Sequence, residues 1–141
     1  MNLYTIGFAQ KSAAAFFELL MKHKVARVLD VRLNNKSQLA GFTKGDDLKY
    51  FLAKIAGIDY LYLPAYAPPK ELMENYRAGK LNWPEYEAQY KPILEQNGLP
   101  KAGLLTDACL LCSEPEADHC HRRLLAEYIA DKLPGVKIIH L

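Results

Sequence analysis

Residues 110–123 read L-L-C-S-E-P-E-A-D-H-C-H-R-R and hold two of the chain's three cysteines and two of its four histidines. An apolar run ends in Cys112, a polar loop follows, and a helix is predicted to open at Cys120-His121-Arg122. Strand, loop and helix N-terminus together turn backbone N–H groups and the positive end of a helix dipole toward an incoming anion. A thiol at a helix N-terminus beside histidine and arginine has its pKa lowered, which makes Cys120 a candidate nucleophile. The alternative is a structural cysteine capping that helix. Cys112, ending the preceding strand, lies at the same edge. At about 100° per residue, the buried stripe of the helix centres near His121, leaves Arg122 on its flank and sends Arg123 outward. His121 is then a general base or a buried, hydrogen-bonded residue holding the turn. Glu114 can accept from that ring or from the helix N–H groups, or take part in acid/base work. Arg122 suits a phosphate or carboxylate, with an ion pair to Glu114 or Asp30 as the structural alternative.

Cys109 and Cys112 form a C-x-x-C pair, but three strand steps of about 3.3 Å place their Cα atoms roughly 10 Å apart and on opposite faces. Neither a disulfide nor a shared metal fits that separation, so Cys109 reads as a core residue. Cys112, Cys120 and His121, with His119 or Glu114, offer enough ligand types for zinc. The spacing is not that of a finger and there is no second cysteine pair, so no metal is assigned. No cofactor follows from the residues.

The elements that must position these groups alternate. Leu3-Tyr4-Thr5-Ile6-Gly7 is a short β-rich run ended by glycine, and Ser12 can cap a helix carrying Phe16, Phe17, Leu20 and Met21 at helical spacing. Residues 25–31 form a second apolar run. Near its end Asp30 and Arg32 point to one face by period two, where a parallel strand delivers side chains to a ligand edge. A loop with Ser37 follows. Asp46 is then expected to cap a helix bearing Leu48, Phe51, Leu52 and Ile55, stopped by Gly57, before a third strand over residues 58–63. Residues 64–69 are a stiff Pro-rich connector. Residues 70–78 read as a short helix, and Asn82 before Trp83-Pro84 starts another with Tyr86, Tyr90, Ile93 and Asn97 on one face. The five large aromatics of this stretch, Tyr66, Tyr76, Trp83, Tyr86 and Tyr90, serve packing or wall a pocket. Residues 108–112 make a central strand, residues 120–132 the last helix with Leu124, Leu125, Tyr128 and Ile129 buried, and residues 136–139 a fifth strand. This order predicts a Rossmann-like α/β fold: one domain over residues 1–141, three layers, a mostly parallel sheet of about five strands, and a Pro- and aromatic-rich helical insertion at about 64–99.

Cys112-Ser113-Glu114 with Cys120-His121-Arg122 and then Leu125-Ala126 resembles the signature of a bacterial and archaeal family, the domain of unknown function 488 family. Thr5-Ile6-Gly7, Asp30-Val31-Arg32 with Ser37, Gly57-Ile58 with Tyr60, and His140-Leu141 fall in that family's order. The chain departs from the pattern at Phe8-Ala9, where His or Tyr then Ser is usual, and at Asn34-Asn35, where Pro follows D-V-R. The resemblance implies a fold and a site, and supplies no reaction.

At 141 residues, 50% hydrophobic and 24% charged, the chain has ordinary soluble composition, and a formal charge of +2 announces no polyanionic partner. The absence of a signal-like start or a membrane-length apolar run makes cytoplasm the expected compartment. Two functions follow. One is a small enzyme acting on a phosphate-bearing or nucleotide-like substrate at Cys112, Glu114, Cys120 and His121, bound by Gly7, Asp30, Arg32, Ser37 and Arg122. The other is a non-catalytic module that binds a ligand or nucleic acid through the same anion site. The sequence indicates no membrane partner and no oligomeric state.

Overall fold

In the computed structural model, which describes residues 1–36 and 41–141, the apolar run Ala108–Cys112 becomes strand β4, buried at all five positions. Such a continuous run fits a parallel strand covered on both faces. Around it lie β1 (Asn2–Gly7), β2 (Arg27–Asp30), β3 (Asp59–Tyr62) and β5 (Lys137–His140). The order across the sheet is β3-β2-β4-β1-β5, and every pairing is parallel. The edge strand β3 alternates exposed and half-buried residues, and the edge strand β5 is exposed at its two ends and half-buried between them.

Five helices connect the strands: α1 (Ala13–Lys22), α2 (Gly45–Phe51), α3 (Lys70–Arg77), α4 (Trp83–Asn97) and α5 (His121–Lys132). The Ser12 hydroxyl accepts from the Ala15 amide and caps α1, and Asn82 with Glu85 forms a reciprocal capping box on α4. Helix α2 begins earlier than the sequence suggests. Its cap position is Lys44, and Asp46 sits inside the first turn. The Gly45 amide donates to the Asn35 carbonyl at 2.6 Å, so a backbone partner takes the place of a capping side chain. Beyond Phe51 the helix widens into a π-helical turn (Leu52–Ala56) that ends at Gly57, in the left-handed region at φ 64°. On α4 the buried face is Tyr86, Tyr90 and Leu94, a strict i, i+4, i+8 stripe. Ile93 is half-buried, and Asn97 is exposed, donating to the Ala65 carbonyl.

Side-chain alternation splits the core into two layers. Leu3, Leu29, Ala108 and Leu110 pack against α3, α4 and α5 through Leu72, Tyr90, Leu94, Leu124 and Leu125. Tyr4, Ile6, Val28, Cys109 and Leu111 pack against α1 and α2 through Phe16, Phe17, Leu20, Leu48 and Leu52. The result is a three-layer α/β fold. After β1 and β2 the chain passes to the α1/α2 layer, and after β4 it passes to the opposite layer. The carboxyl end of β4 is therefore a topological switch point, where open α/β sheets form their ligand crevice. Among the described residues, no helix is long and apolar enough to cross a membrane.

Candidate functional site

Cys112 occupies that switch point, paired in register with Gly7 of β1. The loop leaving β4 folds back over β1: the amides of Phe8 and Ala9 donate to the carbonyls of Cys112 and Ser113. A Cβ added at Gly7 would overlap the Glu114 carbonyl oxygen and reach 3.0 Å from Arg122 Nη1. Gly7 thus acts through close backbone approach, and what it admits is the loop that carries the site.

Arg122 is the centre of that loop. Its side chain leans toward the N-terminus of α5, as helical side chains do, and ends inside the protein, 1% exposed. Nη1 donates to the Glu114 carbonyl at 2.6 Å and lies 3.5 Å from Sγ of both Cys112 and Cys120. Nη2 donates to the Pro115 carbonyl at 3.4 Å, and Nε donates to the Thr5 hydroxyl at 3.3 Å. The guanidinium therefore faces the two thiols and the loop backbone rather than lying along the helix flank. Glu114 contributes its carbonyl to this arrangement, while the residue is exposed.

The Thr5 hydroxyl also lies 2.6 Å from His140 Nδ1. Burial and then the positive charge of Arg122 hold the His140 ring below its ordinary pKa, consistent with Thr5 donating to a neutral imidazole.

Cys112 and Cys120 are 2% and 3% exposed. Burial pushes the Cys112 thiol up, but a hydrogen bond from Cys120, then the charges of His121 and Arg122, outweigh it and bring Cys112 down to about 5. Cys120 moves the other way, raised first by its hydrogen bond to Cys112 and then by burial. The two shifts run in opposite directions and favour negative charge on Cys112 over Cys120. His121 Nε2 lies 2.7 Å from the Val31 carbonyl, and since a carbonyl only accepts, that nitrogen carries a proton. Nδ1 is left facing the sulfurs, 4.0 Å from Cys120 Sγ. Cys109, in the opposite layer, is fully buried and its thiol is raised by that burial.

Asp30 and Arg32 form a second buried group. Arg32 donates through Nε and Nη2 to the two Asp30 oxygens at 2.8 and 2.7 Å, and through Nη2 to the Thr43 carbonyl. The Tyr60 hydroxyl donates to Asp30 at 2.5 Å, and Phe8 lies under the guanidinium at 5.4 Å. Asp30 is thus committed to Arg32 and Tyr60. Ser37 lies outside the described residues.

Two adjoining hollows connect these groups. A small chamber of about 50 Å³ is lined by Cys112, Cys120, His121, Ser113, Tyr86 and Arg77 among others. A cleft of about 520 Å³ beside it is lined by Phe8, Arg32, Lys70, Met73, Arg77 and His121 among others. Over the chamber's outer wall, Trp83 stacks on Tyr86 at 4.9 Å and on His119 at 5.0 Å, with Arg123 5.7 Å from the indole centroid.

A family model described as Domain of unknown function DUF488 matches residues 12–129, more than half of the chain. The chain belongs to the DUF488 family. The match covers Asp30, Arg32 and the whole of residues 112–122, whereas Gly7 and His140 lie outside it. No curated protein and no solved structure matches this DUF488 chain.

Cys112, Cys120 and His121 are also the residues of the DUF488 site that could hold a metal, since their sulfurs and a ring nitrogen all lie within 4.8 Å of one another. The His121 bond to Val31 is the kind of outer contact that orients a histidine ligand. Arg122 Nη1 also stands 3.5 Å from both sulfurs, a positive charge against the same cluster.

Thr5, Tyr60 and His140 are pocket-supporting residues to which sequence reasoning assigned no role. The available signal was polarity inside short apolar strands: a hydroxyl at Thr5 within a buried run requires a partner. Arg77 and Lys70 carry no such signal, because exposed helical cations are common.

Proposed function

We propose that this chain is a cysteine-dependent enzyme acting on a phosphate-bearing substrate, with Cys112 as nucleophile. The observation that carries the reading is the Arg122 guanidinium 3.5 Å from the sulfurs of Cys112 and Cys120, which line the chamber, an electropositive setting that favours thiolate at neutral pH. The chamber admits a group of phosphoryl size, and the cleft takes the remainder of the substrate. Arg32, Lys70 and Arg77 line that cleft. Arg32 is held by Asp30 and the Thr43 carbonyl, and the N-terminus of α5 lies beside the chamber through Cys120 and His121, a setting that suits an anion. In the reaction a bond forms from Cys112 sulfur to phosphorus as the bond from phosphorus to the leaving oxygen breaks. The alcohol takes a proton from solvent in the open cleft. Water then displaces the sulfur, releasing phosphate and a proton and restoring the thiolate. Cys120 stabilises the thiolate by its hydrogen bond, and Arg122 positions both the sulfur and the loop. A reducing compartment such as the cytoplasm keeps both thiols available.

The test is alkylation by iodoacetamide at about pH 6, where an unperturbed thiol reacts slowly. Cys112 is expected to be modified first, and inorganic phosphate to protect it. Cys112→Ser is expected to abolish turnover of p-nitrophenyl phosphate. A Cys112 that resists alkylation, with no protection by phosphate, would overturn the reading. A second reading, a non-catalytic module for a phosphate-bearing small molecule or nucleic acid, is favoured by the three cations, Arg32, Lys70 and Arg77, that line the cleft. Phosphate binding that survives Cys112→Ser, with no turnover by the unaltered protein, would select it.

A further inference from the structure

We infer that Cys112 and Cys120 form a peroxide-reactive pair, in which Cys112 is oxidised by small hydroperoxides and Cys120 resolves the product as an internal disulfide. The inference rests on the Cys112 thiolate of the proposed function and not on the substrate named there.

The two sulfurs come from different elements, the end of β4 and the cap of α5, yet lie within 4.8 Å of each other and of a His121 ring nitrogen. Arg122 Nη1 is 3.5 Å from each. A cation placed evenly between two thiols stabilises negative charge on either one, which a two-step exchange needs because the charge passes from the first sulfur to the second. His121 is oriented by its Nε2 contact with the Val31 carbonyl, and its Nδ1 stands 4.0 Å from Cys120 Sγ, the thiol that must lose its proton. Closing the pair requires Cys120 to move toward Cys112. Its side chain makes no cap bond to α5, and Glu114, Glu116, Asp118 and His119 of the intervening loop are exposed. The chamber of about 50 Å³ has room for a molecule of peroxide size.

The chemistry balances. Cys112 thiolate attacks one oxygen of hydrogen peroxide. The S–O bond forms, the O–O bond breaks, sulfur is oxidised to sulfenic acid, and the departing hydroxide takes a proton to become water. Cys120 loses its proton as its sulfur attacks the sulfenic sulfur. The disulfide forms, and the hydroxide that leaves is protonated to a second water. Reduction by an external dithiol restores one thiol and one thiolate.

The experiment treats the full chain with near-stoichiometric hydrogen peroxide and maps fragments without reduction. Trypsin leaves all three cysteines in one peptide, but cleavage after Glu116 separates Cys112 from Cys120. Linked fragments that dithiothreitol releases are expected, unchanged in Cys109→Ser. In Cys120→Ser, and in Cys120→Ala as a second variant, dimedone is expected to trap Cys112 sulfenic acid. Hydrogen peroxide should react roughly ten-fold faster than cumene hydroperoxide, because access to the sulfur is limited by the chamber. The inference is overturned if Cys112 in the unaltered protein passes to sulfinic acid without linked fragments, or if Cys109 supplies the partner. Where Cys112 still alkylates rapidly at about pH 6, only this inference falls. Where it does not, the thiolate of the proposed function falls with it.

Discussion

Arg122 joins two roles in one guanidinium. Its contacts with the Glu114 and Pro115 carbonyls fix the loop, and its contacts with the two sulfurs fix the charge. The pH dependence follows. Folded, Cys112 loses its proton near 5, against an ordinary 9.0. Between those values the unfolded chain binds the extra proton, so stability from this group rises with pH across the window and is lost as pH falls through about 5. The raised Cys120 opposes this only above its ordinary value. The stability advantage over Cys112→Ser, measured as melting temperature, is therefore expected to shrink from about pH 8 toward pH 5; an equal advantage at both ends would count against the thiolate. At this scale the sequence brought Cys112, Cys120, His121 and Arg122 together because they lie within eleven residues, and helical period turned His121 toward the sheet. It favoured Cys120 as the nucleophile from the helix N-terminus with His121 and Arg122 beside it. Both sulfurs lie 3.5 Å from Arg122 Nη1, so which one is favoured for the charge turns on the hydrogen bond between them, and that is not written in spacing.

At the scale of elements, β1 and β4 hold the site through an absence of side chain. Gly7→Ala would drive a Cβ into the Glu114 carbonyl, a backbone group that cannot rotate away. The loop must shift and the Arg122 anchor with it. We expect a loss of about 1–3 kcal/mol in denaturant unfolding and slower alkylation of Cys112, and an unchanged midpoint would mean that the loop has room. Local signals were legible here: Ser12 and Asn82 cap as their types and positions suggest, because a cap involves only three or four successive residues. The start of α2 was not, since the Asn35 carbonyl that sets it is ten residues distant. Nor was the commitment of Asp30 to Tyr60, thirty residues on.

Across the whole molecule, alternation of strands and helices was enough to predict a parallel three-layer α/β sheet. The placement of β4 between β1 and β2 is a long-range choice that the sequence left open, and it is this placement that puts Cys112 at the switch point. Both faces of the sheet carry continuous apolar layers, each large side chain there contributing about 1.5–3 kcal/mol on burial. Such a core needs no structural ion. The cooperative thermal transition is accordingly expected to survive exhaustive chelation, followed by calorimetry, and a transition lost with the chelator would reassign Cys112, Cys120 and His121 as ligands.

Trp83 is the chain's single tryptophan, and it stands where the site's moving parts meet. It stacks on His119, the residue before Cys120, and on Tyr86, which lines the chamber beside Cys112. An indole's emission depends on the rings and cations against its faces. A disulfide that displaces the loop would alter the His119 stack directly, so the emission of this native fluorophore is expected to change as the thiols are oxidised, with no label attached.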